Sequence, residues 1–497
     1  MSQGAGLSTR NGQSFDIASC PVLDTAAWRR ALIDRIDAGG RIVQLFGRTC
    51  GDGVSLTCVL AFDHRGELEV LGTAAREYAS LTPDAPEAHW FERELFEQWG
   101  VRPVGHPWLK PIRFETPRRA GGAAAQIGVT DFFRLEGDEA HEVAVGPVHA
   151  GVIEPGHFRF QCAGETVHHL EISLGYQHRG VERAMIQRPL RRLHYAQTLA
   201  GDTTIAHATA YCRAMEHLGN TTVPPRAQAL RGVSAELERL ANHIGDLGAM
   251  AGDVGFLPTM SYCGRIRGDA LNMTAVLCGN RFGRGLIVPG GVACDLSASQ
   301  AGDLLARLDA LERDAASAVG LMLDNPSVLA RLEGTGAVSA ETAEAIGLVG
   351  VAARACGVER DVRMQHPYGL YRFATVPVAT WHSGDCFARA YVRWLEVERS
   401  IRFVREQLQA LPAGDIRHPC AATLPPGRAV VALVEGWRGE VCHMAITDDH
   451  GELAAYKVVD PSFHNWFGLA MSLREQQISD FPLCNKSFNL SYCGHDL

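Results

Sequence analysis

No two of the 14 cysteines stand three residues apart, so the chain has no CxxC pair. Zinc sites, thioredoxin-like redox sites and cysteine-held clusters use such spacing, and its absence leaves no recognisable zinc or iron–sulfur ligand set here. The cysteines are scattered from Cys20 to Cys493 and read as buried free thiols of a cytoplasmic protein. No stretch approaches the roughly 18–20 apolar residues needed to cross a bilayer. The opening MSQGAGLSTRNGQSF lacks a basic start followed by an apolar run, so no secretory leader is expected. Lys and Arg form no dense run and the net charge is −9, which argues against nucleic acid as a partner. Internal repeats and low-complexity tracts are also missing.

What remains is an ordinary globular composition, 46% hydrophobic and 21% charged, over 497 residues. That length predicts two or three domains. Residues 1–118 read as a small α/β domain, with a helix over Thr25–Ala38, strands at Arg41–Phe46, Val54–Phe62 and Leu68–Leu71, and a helix near His89–Gln98. RAGGAAAQ (Arg119–Gln126) has no apolar face and marks a linker over 119–130. Residues 131–497 read as a helix-rich bundle domain. Leu230, Val233, Leu237, Leu240, Ile244 and Leu247 recur at steps of three and four, which predicts a helix over Arg226–Met250. Similar stripes predict helices at Ser297–Leu321 and Tyr391–Leu411, and strand-like runs at Ala429–Leu433 and Met444–Val459 add a small flanking sheet. A soft break at Pro412–Ala421 falls inside this domain. The fold class expected is α+β.

Composition and periodicity go no further, but several blocks do. FERELFEQWGVRPVGHP (Phe91–Pro107) resembles the small 30-kDa-type domain that accompanies complex I-type large subunits. GPVHAGVIEPGHFRF (Gly146–Phe160), GYQHRGVERAM (Gly175–Met185), VPPRAQALRGVSAELERLANHIGDL (Val223–Leu247), VEGWRGEVCH (Val434–His443) and DFPLCNKSFNLSYCGHDL (Asp480–Leu497) follow in the order found in formate hydrogenlyase and hydrogenase-4 large subunits. The chain is similar to members of the group 4 NiFe-hydrogenase/complex I large-subunit superfamily over nearly its whole length.

Active hydrogenases of that superfamily hold nickel and iron with two CxxC pairs, because soft metals need soft ligands. The first pair, in an R-x-C-G-x-C stretch, aligns with Thr198-Leu199-Ala200-Gly201-Asp202-Thr203. The second, in D-P-C-x-x-C, aligns with Asn489 to Gly494. Ala200, Thr203, Ser491 and Gly494 therefore occupy the ligand positions, and the resemblance implies a chain without the metal centre. Cys493 is off register, and no tail of the kind clipped after metal insertion is expected beyond His495-Asp496-Leu497.

Complex I large subunits also lack those cysteines and bind a quinone head group in the vacated cavity. By resemblance that cavity is lined here by His149, Glu154, His157, Tyr195, Asp202, Thr203, His207 and Ser491. Arg192-Leu193-His194-Tyr195 matches the R-L-D-Y stretch whose tyrosine helps hold the quinone, so Tyr195 is the leading candidate as hydroxyl donor. His149 matches the first histidine of the G-P-x-H-P-A-x-H-G loop. Pro155 stands at the second, and Asp253 matches the aspartate that pairs with it, which weakens the quinone reading. His178, Arg179 and Glu182, with Arg265, Arg267, Glu435 and Arg438, are expected to shape the cavity or a partner interface.

The resemblance implies an electron-transfer large subunit of a hydrogenase-4-like or complex I-like oxidoreductase complex, cytoplasmic and peripheral on the inner face of the cell membrane. Expected partners are a small Fe-S subunit carrying a 4Fe-4S cluster, a ferredoxin-like subunit and, through these, antiporter-like membrane subunits. No cofactor is expected on this chain alone, apart from a quinone at the vacated site. NAD binding is also expected from the resemblance. The alternative is a non-catalytic scaffold or conformational-coupling subunit.

Overall fold

The computed structural model describes residues 6–51, 53–119 and 125–497. Residues 120–124 of the expected linker lie outside the described residues. The N-terminal unit is built on an antiparallel meander: β1 (Arg41–Cys50), β2 (Gly53–Phe62) and β3 (Glu67–Ala74). Two short strands complete the sheet on β3, Leu7–Thr9 antiparallel and Val22–Leu23 parallel. Helix α1 (Thr25–Asp37) starts where Asp24 accepts a bond from the Ala27 N–H at 2.9 Å. Helix α2 (His89–Trp99) ends at Gly100, whose φ of 66° closes the turn.

A second sheet follows in β4 (His157–Ala163) and β5 (Thr166–Ser173), flanked by Ala140–Val145 and Gln476–Gln477. Short helices α3 (Val181–Gln187) and α4 (Arg192–Thr198) lead to α5 (Thr204–Leu218), then to α6 (Pro225–Asp253), α7 (Leu257–Cys278), α8 (Ala298–Leu323) and α9 (Cys386–Gln409). The third sheet is the meander β6 (Arg428–Glu435), β7 (Glu440–Thr447) and β8 (Leu453–Val459). The run read at Met444–Val459 is thus two strands and the turn between them. Helices α10 (Pro461–Ser472), α11 (Phe481–Phe488) and α12 (Tyr492–Asp496) close the chain.

α6 is the axis of the bundle. At 29 residues it is about 43 Å long. The six residues of its predicted stripe are each at most 1% exposed, and burial of each such side chain is worth about 1.5–3 kcal/mol. Beside the stripe runs a buried ionic layer. Glu236 of α6 meets Arg239 at 3.1 Å and Arg363 at 3.1 Å, while Glu396 of α9 and Glu435 of β6 meet Arg354 at 2.7 and 2.8 Å. Arg239 also reaches Glu396 of α9 at 3.2 Å and the Glu435 carbonyl of β6 at 3.0 Å, which ties α6 to α9 and the third sheet.

The two units interlock. The strand Phe15–Asp16 leaves the N-terminal unit to form the edge of the third sheet beside β6. Arg41 of β1 reaches Glu440 of β7 at 2.6 Å, Lys457 of β8 reaches Glu94 of α2 at 2.6 Å, and Arg118 reaches Glu182 of α3 at 2.7 Å. Among the described residues no helix is long and apolar enough to cross a membrane.

Candidate functional site

The segment 198–203 enters α5, and its place is fixed from the next helix. Glu238 of α6 accepts the Ile205 and Ala206 N–H groups at 2.7 and 3.3 Å, filling two of the donors a helix start leaves open. Burial pushes the Glu238 carboxyl up to about 8. On the other side stands the hairpin between β6 and β7. Gly436 and Gly439 exchange backbone hydrogen bonds at 2.8 and 3.1 Å, and the turn carries Trp437 and Arg438. Gly439 has φ 139° and lies so close to Gly350 that an added Cβ would sit 2.8 Å from its Cα, so only glycine fits.

Arg438 joins what the sequence keeps far apart. Its guanidinium grips both Asp202 oxygens at 2.7 and 2.8 Å and the Thr203 hydroxyl at 3.1 Å, while its Nε donates to the Asn489 carbonyl at 2.6 Å. It lies 3.9 Å from the Trp437 ring centre, and the Trp437 indole donates to the Asp202 carbonyl at 3.0 Å. Arg179 makes a second clamp, donating to the carbonyls of Thr198 (3.0 Å), Leu199 (2.6 Å) and Cys493 (3.3 Å). The two segments that carry the expected ligand positions are therefore brought together. Burial alone would raise the Asp202 carboxyl, but the charge and hydrogen bonds of Arg438 outweigh it and hold the group below its usual range.

The donor chemistry at the four positions does not fit nickel and iron. Ala200 is fully buried and has only a methyl group. The Thr203 hydroxyl donates to Asp202 at 3.0 Å. The Ser491 hydroxyl caps α12, accepting from the Gly494 N–H at 2.9 Å. Gly494 has no room for any side chain: an added Cβ would lie 2.7 Å from the Asp460 Cγ and 2.8 Å from both of its oxygens. Asp460 cannot yield, because it caps α10 through the Ser462 N–H at 2.8 Å and bonds His207 at 2.9 Å. The neighbouring Cys493 thiol is pushed up to about 12 by burial and by Glu154.

His207 belongs to a buried chain that the residue-by-residue reading missed. Its Nε2 faces Asp460, its Nδ1 meets His443 Nε2 at 3.0 Å, and His443 Nδ1 meets the Tyr456 hydroxyl at 2.7 Å. Asp460-Pro461 reads in sequence as a helix start, which it also is, and nothing there signals the histidine.

The remaining candidates are placed more loosely. Tyr195 is half-buried on α4, and among the described residues its hydroxyl accepts from Arg188 at 3.4 Å and donates to none. His149 is tied into its own loop by a 2.8 Å contact with the Gly156 carbonyl. Glu154 from the same loop does reach the C-terminal segment at Cys493. His157 packs on Phe132, with ring centres 5.6 Å apart, rather than on the clamped segments. Asp253 lies exposed at the end of α6, and its carboxylate makes no hydrogen bond among the described residues. His178 holds the Asp496 carbonyl at 2.7 Å, and Arg265 pairs with Asp269 at 2.9 Å on the surface.

Comparison with known proteins gives the fold its class. Residues 253–428 match the family described as respiratory-chain NADH dehydrogenase, 49 Kd subunit, and residues 40–119 match respiratory-chain NADH dehydrogenase, 30 Kd subunit. Formate hydrogenlyase subunit 5 of Escherichia coli is 30% identical over 438 residues, 84% of this chain and 77% of that protein. The carbon monoxide-induced hydrogenase of Rhodospirillum rubrum is 32% identical over 355 residues, 70% of this chain and 97% of its own length. NADH-quinone oxidoreductase subunit 4 of Thermus thermophilus is 30% identical over 369 residues, 69% and 90% of the two chains. The chain belongs to the group 4 NiFe-hydrogenase/complex I large-subunit superfamily.

Proposed function

We propose that this chain is the electron-transfer large subunit of a membrane-associated, hydrogenase-4-like or complex I-like oxidoreductase complex, and that it works without a nickel–iron centre. The observation that carries the second point is the Asp460 carboxylate filling the space where a side chain at Gly494 would project. In this reading a 4Fe-4S cluster in a partner small subunit supplies electrons, and a quinone takes them near Tyr195, His149 and Asp202. Tyr195 supplies a hydroxyl proton to a quinone carbonyl. Asp202, held ionised by Arg438, favours the protonated state of groups beside it.

The test uses the intact complex. Purified complex is expected to hold no stoichiometric nickel in this subunit, and stoichiometric nickel would sink the proposal. Tyr195→Phe and His149→Ala are expected to lower quinone-dependent turnover by tenfold or more without loss of assembly. Unchanged turnover in both favours a second reading, a scaffold or coupling subunit. The specific support for that reading is Arg438, whose bonds to Asp202, Thr203 and Asn489 knit the segments shut.

A further inference from the structure

A cleft of about 1000 Å³ opens between residues 10–13, the C-terminal half of α5, the start of α6 and residues 365–373. α5 meets the clamped segments at Thr204 and presents Arg213 and Glu216 to the cleft, about 15–20 Å along the helix. The cleft is thus separate from the site above. It has five lining arginines, Arg10, Arg65, Arg213, Arg231 and Arg372, against one carboxylate, Glu216.

That carboxylate is already saturated. Arg231 grips it at 2.6 and 3.1 Å, and the Gly290 N–H adds a bond at 2.8 Å. Arg65 lies over the Phe62 ring and within 3.8 Å of Glu67 and 3.7 Å of Glu69. Arg10, Arg213 and Arg372 are left with no ion pair among the described residues.

Arg213 is the telling one. It is 7% exposed, yet among the described residues the single hydrogen bond of its side chain is a 3.3 Å contact to Asn11 Oδ1. Its Nε is buried without an acceptor, and its guanidinium lies 5.0 Å from the Tyr368 ring centre. Asn11 is itself committed to the backbone of His366 and Leu433. Burial pulls Arg213 down to about 10, against the pull of Tyr368 and Glu216 and with the charges of Arg231 and Arg372. A guanidinium taken from water without a counter-charge is costly unless an anion reaches it. Planar guanidinium forks match phosphate oxygens two at a time. The volume is that of a site for a small organic ligand. Phe373, 85% exposed, offers a ring face beside Arg372.

We infer that this cleft binds a phosphate-bearing anion of nucleotide size, with the phosphate held by Arg213 and Arg372 and the ring seated on Phe373. The inference does not depend on the redox reading above.

The test is titration of the full chain, at fixed ionic strength, with inorganic phosphate, pyrophosphate, AMP, ADP and a polyglutamate peptide, followed by thermal shift and calorimetry. A saturable rise in melting temperature is expected with the phosphate compounds, and ADP should bind several-fold tighter than pyrophosphate. Arg372→Met, an exposed side chain with no ion pair to lose, should weaken binding about tenfold and leave the ligand-free melting temperature unchanged. Arg213→Lys keeps the charge without the fork and should also weaken it. Phe373→Ala should erase the advantage of ADP over pyrophosphate. No saturable shift with any phosphate compound, or equal affinity in Arg372→Met, overturns the inference. Binding of polyglutamate alone also overturns it and gives the cleft to an acidic segment of a partner protein.

Discussion

Single atoms decide the character of the candidate site. At Gly494 the missing Cβ is a requirement, since the Asp460 carboxylate already stands in its place. Gly494→Ala is expected to destabilise the chain by about 1–3 kcal/mol, as overpacking of a filled interior does. A lower midpoint in chemical denaturation checks this, and a midpoint equal to that of the unaltered chain would show that Asp460 can move aside. Ala200, Thr203, Ser491 and Gly494 fall on two segments that meet at Arg438, and their assignment as ligand positions rests on motif order. Asp460 and His443 were not legible. Each does double duty, as a helix cap and as a strand residue, and the local pattern reports only that duty. The pairing of Asp202 with Arg438 crosses 236 residues and has no local trace.

At the scale of elements, the β6–β7 hairpin is the piece that holds the start of α5 to the C-terminal segment, through one guanidinium. Arg438→Met leaves Asp202, whose side chain is 33% exposed, without its cation. The loss should be about 2 kcal/mol, less than the ~3–5 kcal/mol of a wholly buried pair. The sign with pH follows from the depressed Asp202 carboxyl. Its contribution is present at neutral pH, above the unfolded value near 3.9, and fades as pH falls through the lower folded value. The unaltered chain and Arg438→Met should therefore converge in stability in strong acid. A constant difference from pH 7 to pH 2 would assign the effect to lost packing instead. Helix α6 was readable because one stripe of leucines faces one core. α7 was not, since Gly264 and Gly268 interrupt its pattern, and its helical state comes from packing along α6 and α8.

Over the whole molecule, the two expected units are joined by backbone pairing and by buried charge. An edge strand and several ion pairs cross between them, with Arg41–Glu440 and Lys457–Glu94 almost fully buried. Residues 1–119 and 125–497, produced together as separate chains, are expected to co-elute as a stable one-to-one complex by size exclusion. Separate elution would show that the covalent link is needed.

The clamps on the C-terminal segment have one more property. Arg438 holds Asn489, Arg179 holds Cys493 and Arg113 holds His495, and in each case the grip is on a main-chain carbonyl. Such a grip is blind to the side chains the segment carries. Side chains at 491 and 493 can change while the path of the chain stays the same; at 494 the Asp460 carboxylate still excludes any side chain. The path of the segment and the side chains it presents are thus set by separate contacts.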